Sequence, residues 1–208
     1  MAEQQQLPTI ASWLRQHESL ARIELEVALC HVLNCSRAHL LSHPEQSLER
    51  QALDQLDHWV DQLHHHVPLA YLTGEQEFWG LALSVDERVL VPRPDTEILV
   101  ERALECLQEV SAPADRGDLM ALDLGTGSGA IALAVGKSRP LWRITGTDIS
   151  PDALEIARKN RETLGLSNVD FQEGSWCEPL PSGSMDIIIA NPPYIAPEDP
   201  YLTLRELR

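Results

Sequence analysis

Three short stretches of the chain carry residue types able to do chemistry. The first, Asp123-Leu124-Gly125-Thr126-Gly127-Ser128-Gly129-Ala130, is a glycine-rich turn where a strand gives way to a helix. Such a turn lets backbone N–H groups and a helix N-terminus approach a polar ligand. Gly125, Gly127 and Ala130 also satisfy the loose dinucleotide fingerprint with alanine in third place, so the turn alone does not choose its ligand. Asp123 stands just ahead of the glycines, placed to order the loop or to meet a cationic ligand. Asp148 ends the next strand, where a carboxylate can accept hydrogen bonds from both hydroxyls of a ribose. Ser150 is the more natural cap for the helix starting at Pro151.

The third stretch, Asn191-Pro192-Pro193-Tyr194, follows an apolar run at the carboxyl end of a strand, where α/β sheets bind ligands. Two prolines hold the backbone rigid there. The Asn191 side-chain oxygen and the Pro192 carbonyl can accept from the N–H groups of a planar amine or amide, and Tyr194 offers a ring to stack on it. An amide nitrogen is a poor nucleophile, so holding it in line with an activated methyl is the main contribution such a site can make, worth up to ~7–11 kcal/mol.

These residues need a sheet to position them. Strands are expected at Leu119–Leu124, Arg143–Asp148, Val169–Gln172 and Met185–Ala190, with helices at Gly129–Ser138 and Pro151–Leu164. That alternation describes a parallel sheet of crossover units. The run Met185, Ile187, Ile188, Ile189 reads as a strand covered on both faces. Upstream, from Ile10 to His66, apolar residues recur at helical spacing, as in Ile23, Val27, Cys30 and Leu33, then Leu53, Leu56, Val60 and Leu63. Ser36 and Ser47 are the expected caps, and Pro68 the expected end of this helical module. Phe78, Leu81, Leu83 and Val85, then Val89 to Val91, read as a hairpin turning at Asp86-Glu87. Asp95 or Thr96 is expected to cap a helix running toward Val110.

Sixteen basic against thirty-two acidic residues leave a net charge of −16, which repels phosphate backbones. Residues 1–110 carry −11 of it and residues 111–208 carry −5. No apolar run is long enough to span a bilayer, and Met1–Gln6 lacks the features of a secretion signal, so a cytoplasmic location is expected. Cys30, Cys35, Cys106 and Cys177 have no zinc-ligand spacing, which suits free thiols. His64-His65-His66 closes a charged helix without a carboxylate or cysteine at ligand spacing, and no metal is expected.

Asp123–Gly129, Asp148 and the NPPY segment at 191–194 resemble the class I S-adenosylmethionine-dependent methyltransferases that act on exocyclic or amide nitrogen. Glu77-Phe78-Trp79-Gly80 and Pro92-Arg93-Pro94-Asp95-Thr96-Glu97 narrow the resemblance to the family that methylates the glutamine N5 of peptide chain release factors. The resemblance implies an α/β fold: a Rossmann-like class I methyltransferase parallel sheet preceded by a small all-α N-terminal domain and a β-hairpin linker. The expected bounds are a helical substrate-binding domain at 1–73, the hairpin at 74–94 and the methyltransferase domain at 95–208.

The same resemblance implies S-adenosyl-L-methionine as cofactor. It would be held by Asp123, Gly125, Thr126, Gly127, Ser128, Gly129, Asp148, Trp176 and Asn191, with Trp176 beside the adenine. The glutamine of a Gly-Gly-Gln loop would lie against Asn191, Pro192, Pro193 and Tyr194, with Asn191, Pro192 and Tyr194 the catalytic group. Arg93, Asp95 and Glu97 would border the site, although hairpin-to-helix capping and surface pairing account for them equally well. Release factors are the implied partners, with no membrane and no direct nucleic acid binding.

Members of that family continue for several tens of residues past NPPY, so the chain ending at Arg208 is expected to lack the last strands and to leave an apolar strand edge. Three other readings compete. A DNA adenine methyltransferase shares the glycine turn and NPPY but calls for a basic face and a base-flipping region. An NAD-dependent oxidoreductase explains the glycine turn and Asp148 but not NPPY. A release-factor binder without activity would use the helical module alone.

Overall fold

The computed structural model describes residues 7–106, 118–181, 183 and 185–192, and the fold divides between Thr73 and Gly74. The first unit is helical: α1 (Ile10–Gln16), α2 (Arg22–Val32), α3 (Arg37–Ser42), α4 (Arg50–His64) and α5 (Leu69–Thr73). Thr9 opens α1 with a reciprocal cap, its hydroxyl accepting from the Ser12 N–H at 3.2 Å while the Ser12 hydroxyl accepts from the Thr9 N–H at 2.8 Å. Ser36 caps α3 as expected. Ser47 does not cap α4. It pairs with Thr9 in a short antiparallel bridge, and the cap position falls on Glu49 because Leu48, fully buried, keeps the chain extended past the serine.

Leu53, Leu56, Val60 and Leu63 form the buried stripe of α4, as their spacing requires. In α2 the stripe is a different one from that expected. Leu25, Ala28 and Leu29 face the core while Ile23 and Val27 are exposed, since α2 is apolar over most of its circumference and packing makes the choice. Glu26 is buried beside them and holds the Nε of Arg22 at 2.8 Å and of Arg37 at 2.7 Å. His64 ends α4, and His64, His65 and His66 are all exposed, a solvated helix end. Pro68 does not end the helical pattern, because α5 follows it directly.

The second unit begins with the hairpin β1 (Glu75–Phe78) and β2 (Leu81–Ser84), which turns at Trp79-Gly80. Both turn residues have positive φ, 54° and 70°, the condition of a type I′ hairpin turn. The chain also turns at Asp86, whose carbonyl accepts from the Val89 N–H, but no strand follows among the described residues. A 3₁₀ turn over Pro94–Thr96 leads into α6 (Glu97–Cys106), so Asp95 and Thr96 lie within that turn and cap nothing. The expected end of this helix near Val110 lies outside the described residues.

Strands β3 (Met120–Leu124), β4 (Arg143–Asp148), β5 (Val169–Glu173) and β6 (Ile187–Ala190) alternate with α7 (Ala130–Ser138) and α8 (Pro151–Leu164). They form a parallel sheet of order β5-β4-β3-β6. Helix α7 is buried from Ala130 through Gly136, so small and aliphatic side chains fill every position. Helix α8 starts at the Ser150 cap and Pro151 and ends at Gly165 in the left-handed conformation. Its buried face, Ala153, Leu154, Ile156 and Ala157, carries one polar residue, Asn160. Leu154 and Ala157 share a core with Phe78, Leu83, Val100, Leu133, Ile144 and Phe171. Strand β6 ends the order among the described residues, and Ile188 is 54% exposed, so the strand is not covered on both faces as its apolar run suggested. No helix among the described residues is long and apolar enough to cross a membrane, and all four cysteines are free thiols.

Candidate active site

Parallel pairing brings the ends of three strands level. Leu124 pairs with Thr147 on one side and Ala190 on the other, so the glycine turn, Asp148 and Asn191 all emerge at the same edge of the sheet. The turn is held from below. The Thr126 hydroxyl donates to Asp123 Oδ2 at 2.6 Å, the Thr126 N–H donates to the Thr147 carbonyl at 2.9 Å, and the Gly129 N–H to the Thr126 carbonyl at 2.8 Å. Gly125, Gly127 and Gly129 all have positive φ. At Gly125 and Gly127 an added Cβ would enter open space, whereas at Gly129 it would sit 2.8 Å from Phe171 Cζ. Gly129 thus serves packing, and the other two line an open cradle.

Asp148 uses both carboxylate oxygens on backbone donors, Oδ2 on the Gly127 N–H at 2.9 Å and Oδ1 on the Ser150 N–H at 3.0 Å. An ionised carboxylate has about four acceptor positions, so two hydrogen bonds leave room for hydroxyl donors of a ligand. Ser150 takes the helix cap, accepting from the Ala153 N–H at 3.2 Å, which relieves Asp148 of that duty. Asp123 is 1% exposed, and its Oδ1 is buried without a hydrogen-bond partner in the structure. Burial pushes its carboxyl up to about 7, against the opposing hydrogen bonds from Thr126 and Ala132.

Trp176 lies in the loop after β5 with a positive φ of 51° and 62% exposure, its carbonyl accepting from the Thr147 hydroxyl at 3.2 Å. A bulky residue is uncommon in that backbone region, and the loop holds Trp176 at the same end of the sheet as the glycine turn. Asn191 is half-buried, and its Nδ2 donates to the Thr96 hydroxyl at 3.1 Å. Pro192 follows it, while Pro193 and Tyr194 lie outside the described residues.

Asn160 has no counterpart in the sequence reading. Its Nδ2 donates to the carbonyls of Ser128 at 2.9 Å and Ser84 at 3.0 Å, and its Oδ1 accepts from the Ser84 N–H at 2.7 Å. One buried amide therefore ties the hairpin and the glycine turn to α8. The available signal was an asparagine in the apolar stripe of an amphipathic helix, where a polar group must find partners.

Two family models match the chain, one described as the PrmC N-terminal domain over residues 7–74 and one as a methyltransferase domain over residues 115–208. A release factor glutamine methyltransferase of Shewanella oneidensis is 38% identical over 212 residues, covering 100% of this chain and 72% of that protein. The chain belongs to the release factor glutamine methyltransferase family. The Vibrio cholerae member is 44% identical over 187 residues, covering 89% of this chain and 63% of that protein, and the Escherichia coli member 38% identical over 202 residues, covering 94% and 70%. The chain thus spans between 63% and 72% of the length of these relatives.

S-adenosylmethionine, the cofactor of release factor glutamine methyltransferases, fits the residues present. The side of Gly125 and Gly127 on which a Cβ would stand is open, which leaves space for a ligand close to the backbone, and Asp148, with one backbone donor on each oxygen, keeps acceptor capacity for ribose hydroxyls.

Proposed function

We propose that this chain transfers a methyl group from S-adenosylmethionine to the side-chain amide nitrogen of the glutamine in the Gly-Gly-Gln loop of a peptide chain release factor, and so tunes translation termination in the cytoplasm. The observation that carries the reading is the level emergence of the glycine turn, Asp148 and Asn191 from three adjacent strands. It supports a cofactor and an amide acceptor meeting at one edge of one sheet.

Gly125 through Gly129 and Asp148 would hold the cofactor, with Trp176 against its adenine. When bound, the cofactor would supply an electrophilic methyl on a sulfonium sulfur, and the amide nitrogen that takes it would lose a proton to water. The chain's own part is orientation. Asn191 and the Pro192 carbonyl would accept from the two amide N–H groups, and the family resemblance assigns Pro193 and Tyr194 to the same glutamine. Fixing both N–H directions turns the nitrogen's face toward the methyl, which is where a weak nucleophile gains most.

The helical unit, within the more acidic half of the chain, suits basic surface on a protein better than a nucleic acid backbone. Mass spectrometry of a release factor incubated with the chain and S-adenosylmethionine tests the reading. A mass gain of one CH₂ on the glutamine of the Gly-Gly-Gln peptide is expected. An unmodified peptide from a chain that binds the cofactor would refute it.

A further inference from the structure

Resting on that reading of Asn191, we propose that Thr96 is a positioning residue that sets the orientation of the Asn191 amide, and that Glu97 holds the turn carrying Thr96. Thr96 closes the 3₁₀ turn immediately ahead of α6, where a hydroxyl ordinarily serves the helix N-terminus. Here its oxygen instead accepts from Nδ2 of Asn191, a residue 95 positions along the chain. The contact joins the segment after the hairpin to the end of β6.

The neighbouring residue anchors the arrangement. Glu97 Oε1 accepts from the Trp79 backbone N–H at 2.9 Å, at a turn residue with a positive φ that a bulky side chain rarely adopts. The Trp79 ring is fixed from the other side, its Nε1 donating to the Ser138 hydroxyl at 3.1 Å on the last turn of α7. Gly80 completes the turn by donating to Glu77 at 2.6 Å. The hairpin tip is thus tied to α7 through Trp79 and to α6 through Glu97, and Thr96 stands one residue before that tie. The ordered tip gives Thr96 a fixed place from which to hold the amide.

The chemical consequence lies in the two ends of the Asn191 side chain, one an acceptor and the other a donor. With Nδ2 held at Thr96, Oδ1 is turned away from it, the orientation an incoming glutamine N–H requires. A freely turning amide would present a donor to a donor for part of the time. Placement errors of this kind lower turnover more than they weaken binding. Within Pro92-Arg93-Pro94-Asp95-Thr96-Glu97, the last two residues therefore act on the acceptor site through other groups.

The test uses the full chain as Thr96→Val, which keeps the shape and removes the hydroxyl, and Thr96→Ser, which restores it. The sequence has four asparagines, so selective ¹⁵N-asparagine labelling yields four side-chain amide signals, and Asn191→Asp identifies one by its loss. In Thr96→Val the Asn191 amide protons should exchange with water about tenfold faster and kcat should fall about tenfold, with cofactor affinity unchanged and both effects reversed in Thr96→Ser. An unchanged Asn191 signal, or turnover equal to that of the unsubstituted chain, would overturn the proposal. If the unsubstituted chain transfers no methyl, the functional reading fails by itself, and the exchange of the Asn191 amide then decides whether Thr96 holds it.

Discussion

Asn160 pairs with Ser84 through both ends of its amide, its Oδ1 accepting at 2.7 Å and its Nδ2 donating at 3.0 Å, as a neighbouring strand would. Ser84 ends β2 and Asn160 sits on the buried face of α8, so a helix side chain continues the hydrogen bonding of a hairpin. The same Nδ2 group reaches the Ser128 carbonyl in the glycine turn.

Replacing Asn160 by alanine would leave one backbone donor and two carbonyls without this partner. The expected loss is about 2–4 kcal/mol of unfolding free energy, because stranded buried polar groups cost more than the bonds themselves contribute. Urea denaturation of the variant measures it, and a midpoint matching the unsubstituted chain would show that water replaces the amide.

Gly129 and Gly127 separate packing from binding. Gly129→Ala adds a Cβ 2.8 Å from Phe171 Cζ and 3.2 Å from Ala157 Cβ at a φ of +83°. It should cost about 2–4 kcal/mol from overpacking and backbone strain together. Gly127→Ala meets open space, so strain alone applies, about 1–2 kcal/mol. Its greater effect should fall on S-adenosylmethionine affinity by titration calorimetry, and equal stability losses in the two variants would contradict the separation.

Asp148→Ala removes the acceptor for the Gly127 and Ser150 N–H groups as well as the proposed ribose contacts. Cofactor binding should weaken about tenfold to a hundredfold, the worth of hydrogen bonds to a charged group. Calorimetric titration with S-adenosylmethionine decides this. Retained affinity would remove Asp148 from the site.

Asp123 predicts a pH dependence of stability. Its folded carboxyl titrates at about 7, raised first by burial and further by Asp148, whereas the unfolded chain releases that proton near the ordinary value of about 4. Between those values the folded state binds more protons, so this group's contribution to stability is largest at low pH, declines through the window and is level above it. Asp123→Asn carries no such slope. Stability curves from pH 4 to 8 for the two proteins should therefore diverge by a few kcal/mol in the variant's favour as pH rises; parallel curves would place the Asp123 pKa near its unfolded value.

What the sequence disclosed follows from how locally each feature is determined. Strand β4 and helix α8 have the expected bounds because Ser150, Pro151 and Gly165 punctuate them through their own backbone preferences. The hairpin turn at Trp79-Gly80 is not legible in the sequence because a tryptophan at positive φ is stabilised by partners 18 and 59 residues away, Glu97 and Ser138. Ser47 looked like a cap by type, but Leu48 burial and the Thr9 bridge decided otherwise. Asp148, the glycine turn and Asn191 are candidates by type and position, whereas Trp176 is one only through the family resemblance. The roles of Asn160 and Thr96 are legible by neither route, since each depends on a contact that forms only in the assembled fold.

The register of the sheet acts as a ruler. Asp148 follows Thr147 and Asn191 follows Ala190, and both of those residues flank Leu124. Neighbouring strands lie about 4.8 Å apart, so the two side chains start roughly 10 Å from each other on either side of β3. A molecule that touches both must cross the end of β3, where the chain turns through glycines with no side chains to obstruct it. Slipping β6 by one residue against β3 would turn Asn191 to the opposite face while leaving the cradle whole, so reach between the two anchors is measured in strand widths rather than in loop length.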